Sequence, residues 1–147
     1  MREVQYFNKL DEAFGERPDE LDPMVSVISY YLEKEPIYIL QNMLDGDGFG
    51  GDNTSFSFPT SYEPWEKDEE GYFEEGVKFS WGRLGVIVDN KTFAKYLSKG
   101  VDAFGKLYPK YKEQADELLA KIKEKYVGNK DVSKYKDTII KTLELDD

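Results

Sequence analysis

The sequence predicts one α+β domain: a small antiparallel sheet of about three to four strands, packed by helices that precede and follow it. Apolar residues recur at helical spacing in both flanks of the chain, while alternation with period two is confined to residues 55–88. A length of 147 residues suits a single domain covering 1–147, with residues 1–21 either part of it or a loosely attached N-terminal segment. A chain of this size hides roughly 70% of its unfolded surface. Hydrophobic residues make up 39% and aromatics 15%, which argues against intrinsic disorder despite the charge.

Taken in order, Val4, Tyr6, Phe7, Leu10 and Phe14 could form one helical stripe ending at Gly15. Asp22 is expected to cap a helix whose first position is Pro23, with Met24, Val25, Ile28, Tyr31 and Leu32 on one face. Pro36 ends it, because the residue before a proline is pushed out of the α region. A second helix starts at Pro36, buries Ile37, Leu40, Met43 and Leu44, and stops at Asp45-Gly46. Residues 46–53 are rich in glycine and read as an irregular loop. Ser55–Phe58 alternates as a short strand, and so does Val77–Trp81. Gly82-Arg83-Leu84-Gly85 reads as a tight hairpin connection, and Val86-Ile87-Val88 as a strand covered on both faces. Asp89 or Asn90 caps a helix carrying Phe93, Tyr96, Leu97, Val101 and Phe104, which Pro109 breaks. Another helix follows with Ala115, Leu118, Ile122 and Tyr126 in register, closed by Gly128. A last helix is expected from about Asp131 to Leu143, through Val132, Tyr135, Ile139, Ile140 and Leu143.

Composition removes several classes of chemistry. There is no cysteine, hence neither a disulfide framework nor a thiolate metal site, and no histidine, the usual general base and commonest zinc ligand. The run Asp45-Gly46-Asp47-Gly48-Phe49-Gly50 begins like a calcium loop, but phenylalanine stands at positions 5 and 12 (Phe49 and Phe56), where oxygen ligands are needed. The glycines lack the Gly-Lys-Ser/Thr of a phosphate loop, and nearby aspartates would repel phosphate. Carboxylate pairs in 63–75 read as a solvated charge run rather than an acid–base pair. No nucleophile motif occurs. These residues give little support to a catalytic, cofactor or metal site, so no cofactor and no metal are expected. The N-terminus has no apolar run of signal-peptide length and no segment approaches 18 apolar residues, so the expected location is the cytoplasm, away from membranes.

The net charge is −10 and unevenly spread: residues 41–76 hold ten acids and one base, whereas residues 77–147 hold fifteen bases and eleven acids. Such a balance disfavours direct nucleic-acid binding and favours a basic protein partner. Within the acidic run, large rings are interleaved with carboxylates: Tyr62, Glu63, Trp65, Glu66, Asp68, Glu69, Glu70, Tyr72, Glu74 and Glu75. Charge steers a partner and aromatic rings anchor it, so these ten residues are the candidate binding site.

Several short pieces, in order, carry a resemblance: Gly48-Phe49-Gly50, Ser55-Phe56-Ser57-Phe58-Pro59, the acidic loop into Glu75-Gly76-Val77-Lys78-Phe79-Ser80, Val86-Ile87-Val88-Asp89, Phe93-Ala94-Lys95-Tyr96-Leu97, and a Tyr108-Pro109 break. Over about residues 36–126 the chain resembles the CdiI-type immunity proteins of contact-dependent growth inhibition, which neutralise ribonuclease toxins. It carries Ser55 and Ser57 where family members often have cysteine, and its N-terminal part is longer. The resemblance implies a non-enzymatic protein, a monomer or a 1:1 heterodimer with its toxin, that binds the toxin's C-terminal nuclease domain and blocks its active site. The residues alone also admit an acidic interaction module with a different basic partner, or a calcium-dependent binding protein or hydrolase built on the Asp45–Asp52 loop.

Overall fold

A computed structural model describes residues 10, 12–51, 54–61, 73–128 and 130–144. Helix α1 spans Asp22–Lys34 and helix α2 spans Pro36–Asp45, separated by Glu35 with φ −147° ahead of its proline. The expected capping role of Asp22 is corrected. Asp22 is already helical (φ −56°, ψ −40°) and follows a 3₁₀ turn, Asp19–Leu21. Its carboxylate instead accepts Arg17 Nε at 3.1 Å, and Pro23 lies in the first helical turn. The 3₁₀ turn feeds the helix directly, so no side-chain cap is required at that point. Leu10 and Phe14, upstream, are fully buried.

Five strands form one antiparallel sheet in sequential order: β1 (Phe49–Gly50), β2 (Thr54–Ser57), β3 (Val77–Trp81), β4 (Leu84–Val88) and β5 (Ile139–Glu144). The expected three to four strands gain β1 and β5. Opposed residues Phe56, Phe79 and Val86 fall on one face, as do Val77 and Val88, and all five are buried. This face receives α1 and, through Phe93, helix α3 (Asn90–Leu107). Helix α4 (Pro109–Val127) packs along α3 and α2. The Asp89 carboxylate accepts the Thr92 amide at 2.8 Å, as the start of α3 requires.

Two expectations about local structure are overturned. Part of the glycine loop is strand, since Phe49 and Gly50 pair with Phe56 and Ser55. The helix expected over 131–143 does not form; β5 takes its second half and pairs with β4 from Leu84↔Glu144 to Val88↔Ile139. The physical reason is that β4 is buried on both faces and needs a partner along its second edge. Thr138, Ile139, Ile140 and Thr142 are β-branched and suit that edge better than a helix. The spacing of Val132, Tyr135, Ile139 and Leu143 imitates a helical stripe, but Val132 is buried against Ala94 and Val127 by an irregular segment.

Candidate protein-binding surface

Of the ten candidate binding residues, Tyr62, Glu63, Trp65, Glu66, Asp68, Glu69, Glu70 and Tyr72 lie outside the described residues. Glu74 and Glu75 are described and exposed. The flanks of the acidic stretch are pinned on both sides. Upstream, Phe58 is 1% exposed; its ring stacks on Tyr126 at 5.4 Å and meets Phe93 edge-on at 5.9 Å. Thr60 Oγ1 then donates to the Gly46 carbonyl at 2.9 Å. Downstream, Phe73 is buried, and Gly76 at φ +90° sits where a Cβ would meet the Val88 carbonyl oxygen at 2.2 Å. Only glycine fits there.

The bond from Thr60 brings Asp45 and Asp47, at the end of α2, to the root of this stretch. That end is held from α4: Lys125 Nζ donates to the Leu44 carbonyl at 2.6 Å, and the Tyr126 hydroxyl to the Met43 carbonyl at 2.6 Å. A cation at a helix C-terminus also answers its dipole. Burial, reinforced by Asp45 and Asp47, pushes the Tyr126 hydroxyl up to about 12. These two aspartates count toward the charge of the acidic run, but sequence separation hid their adjacency to Thr60. Among the described residues no cluster of three or more acids stands ready for a metal ion. Phe49, at the fifth position of the calcium-like run, places its ring against Tyr31 (5.1 Å), Tyr38 (5.4 Å) and Phe56 (6.4 Å).

A second feature was not legible in the sequence. The last turn of α1 and the edge strand β1 enclose an open cleft of about 830 Å³, with Tyr30, Tyr31, Lys34 and Glu35 on one wall and residues 48–51 on the other. Tyr31 fastens the two walls by donating to the Thr54 carbonyl at 2.7 Å; burial raises its hydroxyl pKa. Tyr30 meets Trp81 edge-on at 5.7 Å, and Lys34 Nζ lies 5.6 Å from the Tyr30 ring centre. A neighbouring cleft of about 500 Å³, beyond Pro36, is walled by Tyr38, Tyr108 and Tyr111 among others. Its Tyr108 hydroxyl donates to the Glu33 carboxylate at 3.1 Å. No sequence motif announces these clefts, because each is built from segments that meet only on folding.

The described residues form one α+β domain, helices on a five-stranded antiparallel sheet with open clefts lined by tyrosines. The profile of the CDI immunity protein family matches residues 20–119, about two thirds of the chain, and the chain belongs to that family. Membership implies a cognate toxin as partner and binding as the task. The match begins earlier than the resemblance read from the sequence and takes in α1. A comparison with curated proteins finds no match. Among the described residues no helix is long and apolar enough to cross a membrane.

Proposed function

We propose that this immunity protein neutralises a nuclease toxin, a ribonuclease in the first instance, by laying the acidic aromatic stretch Tyr62–Glu75 into the basic cleft that binds the toxin's nucleic-acid substrate. The observation that carries the reading is the concentration of ten acids against one base in residues 41–76, interleaved with Tyr62, Trp65 and Tyr72. A nuclease must attract phosphates and therefore presents cations around its active site; carboxylates in their place act as a stand-in for substrate. Rings among the charges supply contact area that charge alone lacks. Asp45 and Asp47 at the root of the stretch extend the negative field towards the same partner. The chain itself performs no chemistry in this scheme: it works in the cytoplasm, as a monomer or in a 1:1 heterodimer, with no cofactor and no contact to nucleic acid or membrane.

The test is replacement of Glu66, Asp68, Glu69 and Glu70 by their amides, followed by measurement of affinity for the toxin domain encoded beside the gene. Affinity is expected to fall by about 100-fold at low salt, from several lost charge contacts, with a flatter dependence on ionic strength. Affinity and salt slope equal to those of the unaltered protein would remove the stretch from the interface.

A further inference from the structure

We propose that the pocket between α3, the end of α4 and the turn at 131–133 binds a phosphate monoester, held by the ammonium groups of Lys99 and Lys123. The inference goes beyond the toxin reading and does not depend on it. The pocket holds about 230 Å³, and Lys95, Lys99 and Lys123 line it. Lys91, Lys95 and Lys99 stand four residues apart along α3, a spacing that stacks like charges on one helix face and destabilises the helix. The protein answers part of that charge itself. Lys95 is paired with Asp137 at 2.8 Å, and Lys91 lies over the Tyr135 ring at 5.2 Å.

Lys99 and Lys123 are left over. Both are half-buried, and among the described residues neither has a carboxylate at ion-pair distance. The two acids on the pocket wall have other partners: Asp102 takes Lys106 at 3.2 Å, and Asp131 accepts the Ser133 amide at 3.0 Å. Lys99 Nζ donates to the Phe14 carbonyl at 3.3 Å and lies 5.0 Å from the centre of the Tyr96 ring. Burial, with Lys95 beside it, lowers the Lys99 pKa, so its charged form is disfavoured in the protein alone. An anion between Lys99 and Lys123 reverses that, because it supplies both the missing countercharge and acceptors for their N–H donors. The Ser98 hydroxyl donates to the Ala94 carbonyl at 2.7 Å, which leaves donation to the lysines. Two ammonium groups from different helices suit a dianion with several acceptor oxygens better than a single carboxylate. The volume leaves room for the ester group. A phosphate so held ties α3 and α4 to the turn that leads into β5.

The experiment follows the melting temperature and the amide NMR spectrum of the full chain as inorganic phosphate is added at constant ionic strength, with acetate as the second probe. Phosphate is expected to raise the melting temperature and to shift the amides of 98–102 and 131–134, with half-saturation in the low millimolar range; acetate should do so at least about fivefold more weakly. Lys99→Met and Lys123→Met are each expected to weaken phosphate binding about tenfold. Lys121→Met, which alters an exposed lysine near Glu117, should leave it within about twofold. The general salting effect of phosphate acts on every variant alike, so the comparison isolates the site. Without phosphate, Lys99→Met is expected to melt no lower than the unaltered protein, since it removes a half-buried ammonium that lacks a countercharge. A Lys99→Met variant that melts lower and still binds phosphate would assign Lys99 to packing and overturn the site. Amides unmoved by phosphate, or equal responses to phosphate and acetate, would overturn it as well, and the toxin reading would stand untouched.

Discussion

Gly76 carries a constraint that no neighbour can relax. Its φ of +90° disfavours any L side chain, and the atom a Cβ would meet is the Val88 backbone oxygen, not a movable side chain. Gly76→Ala is expected to lose about 3 kcal/mol, combining left-handed strain with displacement of β4, and denaturant unfolding reads that loss. Tyr126 carries the second residue-scale consequence. Its hydroxyl is raised from 10.0 to about 12, so the folded chain holds this proton more tightly than the unfolded one. The resulting stability is fully present below pH 10 and is lost as pH rises through about 12. Tyr126→Phe is expected to flatten the stability profile in that window while costing about 1 kcal/mol near neutrality from the bond to Met43. An equally steep alkaline loss in the variant would place the titration elsewhere, Tyr96 being the next group, raised by burial and its bond to Asp137.

At the scale of elements, the decisive piece is the segment from 130 to 144. It is bound to α3 by polar contacts before it becomes β5. Asp137 accepts Lys95 Nζ at 2.8 Å and the Tyr96 hydroxyl at 2.7 Å; Asp89 accepts the Tyr135 hydroxyl at 2.6 Å; the Thr138 amide donates to Thr92 Oγ1 at 2.8 Å. Lys95 and Asp137 are 14% and 18% exposed, so this pair is only weakly screened. Asp137→Ala is expected to cost about 2 kcal/mol or more and to speed hydrogen exchange in β5 selectively, since it strands a cation and a hydroxyl against α3. Uniform destabilisation with β5 protection unchanged would show that the strand docks without this clip. Most helices were legible from the sequence because prolines and glycines mark their ends and the apolar faces keep period 3.6. The segment 131–143 was misread for a physical reason: the spacing of its apolar residues fits a helix, and the partner that makes it a strand, β4, lies some 50 residues away. β1 was hidden likewise, because two residues carry no period of their own.

Over the whole molecule the charge is polarised, with the excess negative charge concentrated in residues 41–76 and a positive surplus in 77–147. If the toxin is basic, as proposed, association is expected to be steered, so the on-rate should fall steeply between about 10 and 200 mM salt, while the off-rate changes little. Stopped-flow mixing with the toxin domain measures both, and a salt-insensitive on-rate would mean that the polarity serves solubility alone. The candidate site was only partly legible. The acidic, ring-bearing stretch is a local property of the chain and stands out in the sequence. The clefts beside Pro36 and β1 join residues 30–38 to residues 48–54 and 104–111, which no spacing rule connects.

The sequence by itself determined helices α1 to α4, the alternating strands β2 to β4, the charge polarity and the likeness to CDI immunity proteins, because each is written in neighbouring residues. Only the tertiary structure decided that the C-terminal segment completes the sheet, that Asp45 and Asp47 stand at the root of the acidic stretch, and that a glycine edge faces a tyrosine wall. The physical reason is the same for all three. Unpaired backbone edges and buried rings are satisfied by whatever the fold brings alongside, and that choice is made between segments far apart in the chain.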